Sequence, residues 1–130
     1  MTMQTALEAP RSASPAALAP AARLFHGLSD PSRLTILRHL ALGPHRVVDL
    51  VAHLGLAQST VSQHLACLRA CGLVTSRQEG RASVFSLAHV EAVLRVLAGA
   101  EELLGLTGEP VALCPTHPDV TGDQPVSAPR

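Results

Sequence analysis

The chain has 130 residues, 47% hydrophobic and only 2% aromatic, which leaves room for one domain whose core is Leu, Val, Ile and Ala. No apolar run approaches the roughly 20 residues of a membrane span, Met1 to Pro10 lacks the basic stretch and apolar run of a secretory signal, and three cysteines are too sparse for a disulfide scaffold. These features predict a cytoplasmic protein with reduced thiols and no membrane partner, and a net charge of +0 gives no overall pull toward nucleic acid.

In chain order, residues 1–18 are rich in Ala, Pro and Ser without an apolar period, which predicts a flexible N-terminal arm. Ala19 to Leu28 reads as a short first helix, with Pro20 tolerated in its first turn. Asp30-Pro31 is an N-cap followed by a first-turn proline, and Leu34, Leu37 and Leu40 follow at helical spacing until Gly43 closes the segment. Val47, Leu50, Val51 and Leu54 form a third stripe ended by Gly55. Gln58–Ala70 carries Val61, Leu65 and Leu68 at i, i+4 and i+7, ended by Gly72.

The period then changes. Leu73–Arg77 and Ala82–Leu87 alternate roughly, with Gln78-Glu79-Gly80-Arg81 between them, which is a hairpin signal. A last helix over His89–Leu104 is apolar on more than one face, which predicts a dimer interface formed with the first helix. The predicted domain spans 19–106, with 107–130 as a Pro-rich flexible tail. Its order, α-α-α-α-β-β-α, is mainly α with a β-hairpin, the layout of a dimeric winged helix-turn-helix.

Charge is unevenly placed. From Pro20 to Ser86 seven arginines face three acids, and from Leu87 onward two arginines face six acids. A basic front and an acidic back suit a DNA-binding face on a neutral chain. Gln58, Ser59, Thr60, Ser62 and Gln63 are short hydrogen-bonding side chains at the start of the second helix of the tandem pair. They stand opposite Val61 and Leu65, where base edges would be read, and His64 is assigned to the same DNA-facing set. Arg77 and Arg81 near the hairpin tip suit phosphates or the minor groove of double-stranded DNA.

Over about residues 20–104 the chain resembles the ArsR/SmtB family of winged-helix, metal-responsive repressors. The matching stretches are Leu28–Leu37, Gln58–Leu65, Leu68–Val74 and the Glu79-Gly80-Arg81 wing tip. Ala57 stands where the family pattern has a hydroxyl N-cap, whose loss costs about 1 kcal/mol. The resemblance implies a homodimeric repressor of operator DNA, not an enzyme.

Cys67 and Cys71 are four apart on one helix, which brings their Cβ atoms to about 6 Å and lets two thiolates chelate one soft cation. Free cysteine also serves as a small buried hydrophobe. Cys114 lies in a polar, Pro-rich tail with no core to join, so it reads as a third sulfur swung onto the helix pair. The setting His64-Leu65-Ala66-Cys67-Leu68-Arg69-Ala70-Cys71-Gly72-Leu73-Val74, followed by Cys114, is similar to the CmtR type within the family. That implies Cys67, Cys71 and Cys114 as ligands for Cd2+ or Pb2+, with Zn2+ or Hg2+ as further inducers, and leaves open which chain supplies the tail cysteine.

Other family sites fare less well. Arg46-Val47-Val48-Asp49-Leu50 lacks the Cys-x-Cys of the arsenic type, and the last helix offers only His89, Glu91 and Glu102 toward the zinc or nickel type. His117 is a possible auxiliary donor. Two alternatives remain: a redox repressor that oxidises the Cys67/Cys71 pair, whose Cα atoms at about 6 Å are within disulfide range, and a small cysteine enzyme pairing Cys67 with His64. The second lacks any orienting group or oxyanion motif.

Overall fold

The computed structural model describes residues 14–114. Five helices and three strands follow one another as α1 (Ala19–Gly27), α2 (Pro31–Leu40), β1 (His45–Arg46), α3 (Val47–Leu54), α4 (Gln58–Ala70), β2 (Val74–Glu79), β3 (Ala82–Leu87) and α5 (Val90–Leu106). No helix among these is long and apolar enough to cross a membrane.

The helix ends follow the local chemistry of the sequence. Asp30 is extended at the N-cap of α2, its carboxylate accepts the Arg33 N–H at 3.1 Å, and Pro31 occupies the first turn. Asp49 reaches back to accept the Arg46 N–H at 3.1 Å and so fixes the start of α3. The start of α4 has only Ala57, with no side-chain cap. Its other end is closed firmly: Gly72 takes φ +81°, its N–H donates to Arg69 O, and Leu73 N–H donates to Leu68 O. This pair of bonds is a Schellman closure, and it delivers Leu73 into the core beside Leu68.

β2 and β3 pair in register from Val74↔Leu87 to Glu79↔Ala82, so the wing turns through Gly80 and Arg81 alone. Gly80 has φ +63°, which such a tight turn needs at its first central residue. The predicted four-residue connection is therefore shorter, because β2 runs on through Gln78 and Glu79. The sequence reading also lacked β1, whose two residues add a third strand by pairing His45↔Phe85 and Arg46↔Val84, giving the sheet order β1-β3-β2.

One cluster joins the elements: Ile36, Leu37 and Leu40 of α2, Leu50 of α3, Val61, Leu65 and Leu68 of α4, Leu73, Val74, Phe85 and Leu87 of the wing, and Val93 and Leu97 of α5. All three predicted α4 stripe residues are buried. Among the described residues no polar side chain is fully buried, so the core holds by apolar contact. Truncating a residue such as Leu65 to Ala should cost about 2–5 kcal/mol.

Two predicted flexible regions are partly ordered. Ser14–Leu18 form a turn leading into α1, with Leu18 N–H donating to Ser14 O at 3.0 Å. After α5 the chain doubles back: Leu113 is buried in the main cluster and Cys114 packs against it. The Glu101 carboxylate clips this return by accepting the backbone N–H of Leu113 and, at 2.6 Å, that of Cys114. The premise that Cys114 has no core to join is thus corrected. Val111 to Leu113, the one apolar stretch of the tail, carries the cysteine in. The rest of the predicted arm and tail, with His117, lies outside the described residues.

Candidate functional site

The polar N-terminal half of α4 is turned outward. Gln58, Ser59, Ser62 and Gln63 are exposed and Thr60 is half-buried. Beside them, Arg46, Val47 and Val48 of β1 and α3, Gln58 of α4, and Arg81, Ala82 and Ser83 of the wing line a cleft of about 240 Å³. Two arginines therefore flank the start of the reading helix. Arg46 was not singled out from sequence; its guanidinium stands 3.5 Å from the Asp49 carboxylate, so of the two arginines on this cleft Arg81 is the one suited to phosphate.

The two wing arginines differ. Arg81 sits exposed in the turn. Arg77 points its guanidinium at Glu79, with Nε donating at 2.8 Å and Nη2 at 2.5 Å from the same oxygen, so part of its charge is already neutralised.

His64 does not belong to the outward set. Its Nε2 lies 3.8 Å from the Asp30 carboxylate, and Arg33 Nη1 stands 3.4 Å from its Nδ1. Arg33 also donates to Gly27 O at 2.9 Å and His26 O at 2.8 Å, capping the carbonyl end of α1. His64 thus tethers α4 to the α1–α2 junction. Its position, three after Val61 and four before Leu68, places it on the buried stripe.

Cys67 and Cys71 lie on adjacent turns of α4, both half-buried. Cys71 is seated against α1: its thiol donates to Arg23 O at 3.0 Å. A Cβ on Gly27 would stand 3.0 Å from the Cys71 sulfur and 3.2 Å from Leu73, so the glycine makes room for the thiol. Burial, and then the neighbouring Cys67 thiol, push the Cys71 thiol above its ordinary value. The pair offers two sulfur donors side by side.

Cys114 is half-buried against α5, with its sulfur 3.7 Å from Leu94 O, and burial followed by the Glu101 carboxylate pushes its thiol up. Among the described residues of one chain, the three cysteines do not gather into a common ligand group. Nor do the last-helix donors. His89, at φ +46°, is the exposed residue that turns the chain into α5, and Glu91 and Glu102 are exposed on its surface.

A three-donor cluster does occur elsewhere. His39 of α2, His45 of β1 and His53 of α3 hold their ligand nitrogens within 4.8 Å of one another. Burial, and then the neighbouring His53 and His45 rings, push the His39 imidazole below its ordinary value.

A three-stranded wing beside a tandem helix pair, with a polar reading helix and flanking arginines, defines a winged helix-turn-helix DNA-binding domain. Residues 30–76 match the family model described as bacterial regulatory protein, arsR family. The chain is similar to the HTH-type transcriptional regulator CmtR of Mycobacterium tuberculosis, with 51% identity over 67 residues that cover 52% of this chain and 57% of that one. It is also similar to the probable mercury resistance operon repressor of Streptomyces lividans, with 39% identity over 66 residues that cover 51% and 53%. The matches span a little over half the length of these relatives.

Among solved structures, the homodimeric winged helix-turn-helix DNA-binding domain Mb0332 of Mycobacterium bovis superposes with a TM-score of 0.67. It is 32% identical, covering 78% of this chain and 94% of that domain. The chain belongs to the ArsR family, whose members are transcriptional regulators rather than enzymes.

Proposed function

We propose that this protein is a metal-responsive repressor that binds double-stranded operator DNA as a homodimer and leaves it when a soft cation is captured by cysteine thiolates. The inducer is Cd2+ or Pb2+, with Zn2+ and Hg2+ as thiophilic alternatives. The observation that carries this reading is the side-by-side placement of Cys67 and Cys71 at the far end of the helix whose near end is exposed for DNA. The likeness to CmtR and to a mercury operon repressor supports it.

A dimer is supported by apolar surface at both ends of the chain's helical order. Phe25 of α1 is 63% exposed, and Leu103 and Leu106 of α5 are 61% and 78% exposed. Since Cys114 stays with α5 in its own chain, the third sulfur for the Cys67/Cys71 pair is proposed to come across the dimer, from the tail of the other copy. Metal capture would then tie α4 to the second protomer's α5. Because α4 is a rigid helix, a shift of its C-terminal end moves Gln58 to Gln63 against the DNA. Linkage requires that DNA weaken metal binding by the factor by which metal weakens DNA binding, typically about 5–150-fold.

The test is an operator titration of reduced protein with and without Cd2+ or Pb2+, alongside near-ultraviolet sulfur-to-metal charge-transfer absorption. The parent should show the band and release DNA. Cys67→Ser, Cys71→Ser and Cys114→Ser should each bind operator when metal-free and lose most of the release. Release by oxidant, with no charge-transfer band and no effect of Cys114→Ser, would assign the signal to a Cys67/Cys71 redox pair instead.

A further inference from the structure

The imidazole cluster shares no residue with the thiols or with the reading face, and neither function proposed above uses it. His39 is in the last turn of α2, His45 in β1 and His53 in the last turn of α3. The His39 and His53 rings stack with centroids 4.4 Å apart at 14°, and His45 stands edge-on to both, at 6.0 Å and 5.7 Å. Three elements with separate paths through the chain thus deliver one imidazole each to a single spot.

We propose that His39, His45 and His53 form a second metal site, one that takes a borderline divalent cation of the Zn2+ class in a single protomer. Three arguments carry it. First, the nitrogens lie within 4.8 Å of one another, while tetrahedral Zn2+ with bonds of about 2.0–2.1 Å needs them roughly 3.3 Å apart. Closing that gap means unstacking the His39 and His53 rings so that their in-plane lone pairs converge, a turn that the exposed His53 is placed to make.

Second, His45 is already oriented as a ligand. Its Nδ1 lies 2.8 Å from Gly43 O. A carbonyl only accepts, so Nδ1 carries the proton and Nε2 keeps its lone pair. A backbone carbonyl that fixes the tautomer of a ligating imidazole is the usual outer support of such sites. Third, the donor set is all nitrogen, which suits Zn2+, Ni2+ or Co2+ better than the soft ions that favour sulfur. The cluster therefore favours Zn2+, Ni2+ or Co2+ over the Cd2+ or Pb2+ proposed for the cysteines.

Occupancy would tie the end of α2 to α3 and to β1. β1 is paired with β3, so the ion would brace the wing against the first helix of the tandem pair.

Co2+ is the optical probe and Zn2+ the competitor. In a variant carrying Cys67→Ser, Cys71→Ser and Cys114→Ser, one equivalent of Co2+ should give visible d–d bands without thiolate charge transfer. Zn2+ should displace it and raise the thermal midpoint. Adding His53→Gln, an exposed change that spares the fold, should weaken binding about 100-fold. Absence of Co2+ binding in the thiol-free variant, or binding unchanged by His53→Gln, overturns the proposal.

If the thiol-free variant does not fold, the parent serves. Saturated at its thiols with Cd2+, it should bind one further equivalent of Co2+ per chain and lose that equivalent on His53→Gln. Failure to bind it, or its retention in the variant, overturns the proposal equally. Loss of cadmium release with the imidazole site intact would count against the thiol reading alone, so the two are separable.

Discussion

Three imidazoles from α2, β1 and α3 meet within one chain, whereas three thiols from α4 and the returning tail do not. The imidazoles ride on elements locked together by the core: Leu40 ends α2 and Leu50 anchors α3. Their convergence is set once the domain folds. The thiols divide between a helix facing α1 and a segment clipped to α5, so under the proposed function a three-sulfur site would be completed by a second chain. A site completed by docking is suited to signalling, because whatever binds there biases the assembly. A site complete in one chain is suited to bracing the fold.

The largest expected effect separates the two through the tail. Leu113 is 7% exposed and belongs to the main cluster. Leu113→Ala should destabilise the chain by about 2–5 kcal/mol, read as a lowered urea midpoint. It should weaken Cd2+ binding while leaving Co2+ binding at the imidazoles unchanged. A urea midpoint equal to that of the parent would show that the tail does not dock and that Cys114 is free to reach Cys67 and Cys71 in its own chain.

DNA reading should be independent of both donor sets in metal-free protein. Gln63→Ala should cost about 1–3 kcal/mol on the operator and little on unrelated DNA. Arg81→Ala should weaken binding to all sequences and reduce the salt slope by about one. Arg77→Ala should do the same more weakly, since Glu79 already holds that guanidinium. Fluorescence anisotropy at several salt concentrations measures all three. Equal losses on specific and unrelated DNA for Gln63→Ala would remove α4 from base reading.

Glu101 offers a gentler way to loosen the thiol arrangement alone. Its carboxylate accepts two backbone N–H groups of the returning segment and faces the Cys114 thiol. Glu101→Gln keeps the size and removes the charge. Losing charge-assisted bonds should cost about 1.5 kcal/mol of docking, roughly a tenfold more open tail. Cys114 should then react about tenfold faster with iodoacetamide, because the segment opens more often and its thiolate no longer meets a carboxylate. The Cys67 and Cys71 rates should stay as they were. A uniform rise at all three cysteines would mean a global rather than a local change.

What the sequence made legible was local. The Leu and Val stripes, Asp30-Pro31, Gly55 and Gly72 placed the five helices to within a few residues, because caps and apolar periods act over a few residues. The Cys67/Cys71 pair was visible for the same reason. The misses were long-range. β1 has two residues and no period, and only its pairing with Val84 and Phe85 makes it a strand. Leu113 was hidden by a Pro-rich composition, although a lone apolar triplet in a polar tail is itself a docking signal. His39, His45 and His53 are spaced by six and eight, which matches no single helix face. The remaining hint was three of the chain's seven histidines within 15 residues. His64 shares the stripe of Val61, Leu65 and Leu68, and its contacts with Asp30 and Arg33 come from α2 and its cap, some thirty residues away in sequence.

The smallest effect probes the junction that both donor sets rest on. Asp30 caps α2, and its carboxylate lies near His64 of α4. The Arg33 N–H bond holds this carboxyl below its ordinary 3.8, against the opposing pull of burial, with His64 adding to the lowering. A carboxyl whose folded value is depressed contributes stability that is complete above its unfolded value and is lost as pH falls through the lower folded value. Asparagine caps nearly as well but carries no charge. Asp30→Asn should therefore cost about 0.3–1 kcal/mol at neutral pH, the usual worth of a charge at a helix N-terminus. In strong acid, where Asp30 is protonated, the variant and the parent should unfold at the same urea midpoint. A difference that persists unchanged in acid would mean that Asp30 acts through shape and hydrogen bonding alone. The tie between α2 and the reading helix would then owe nothing to its charge.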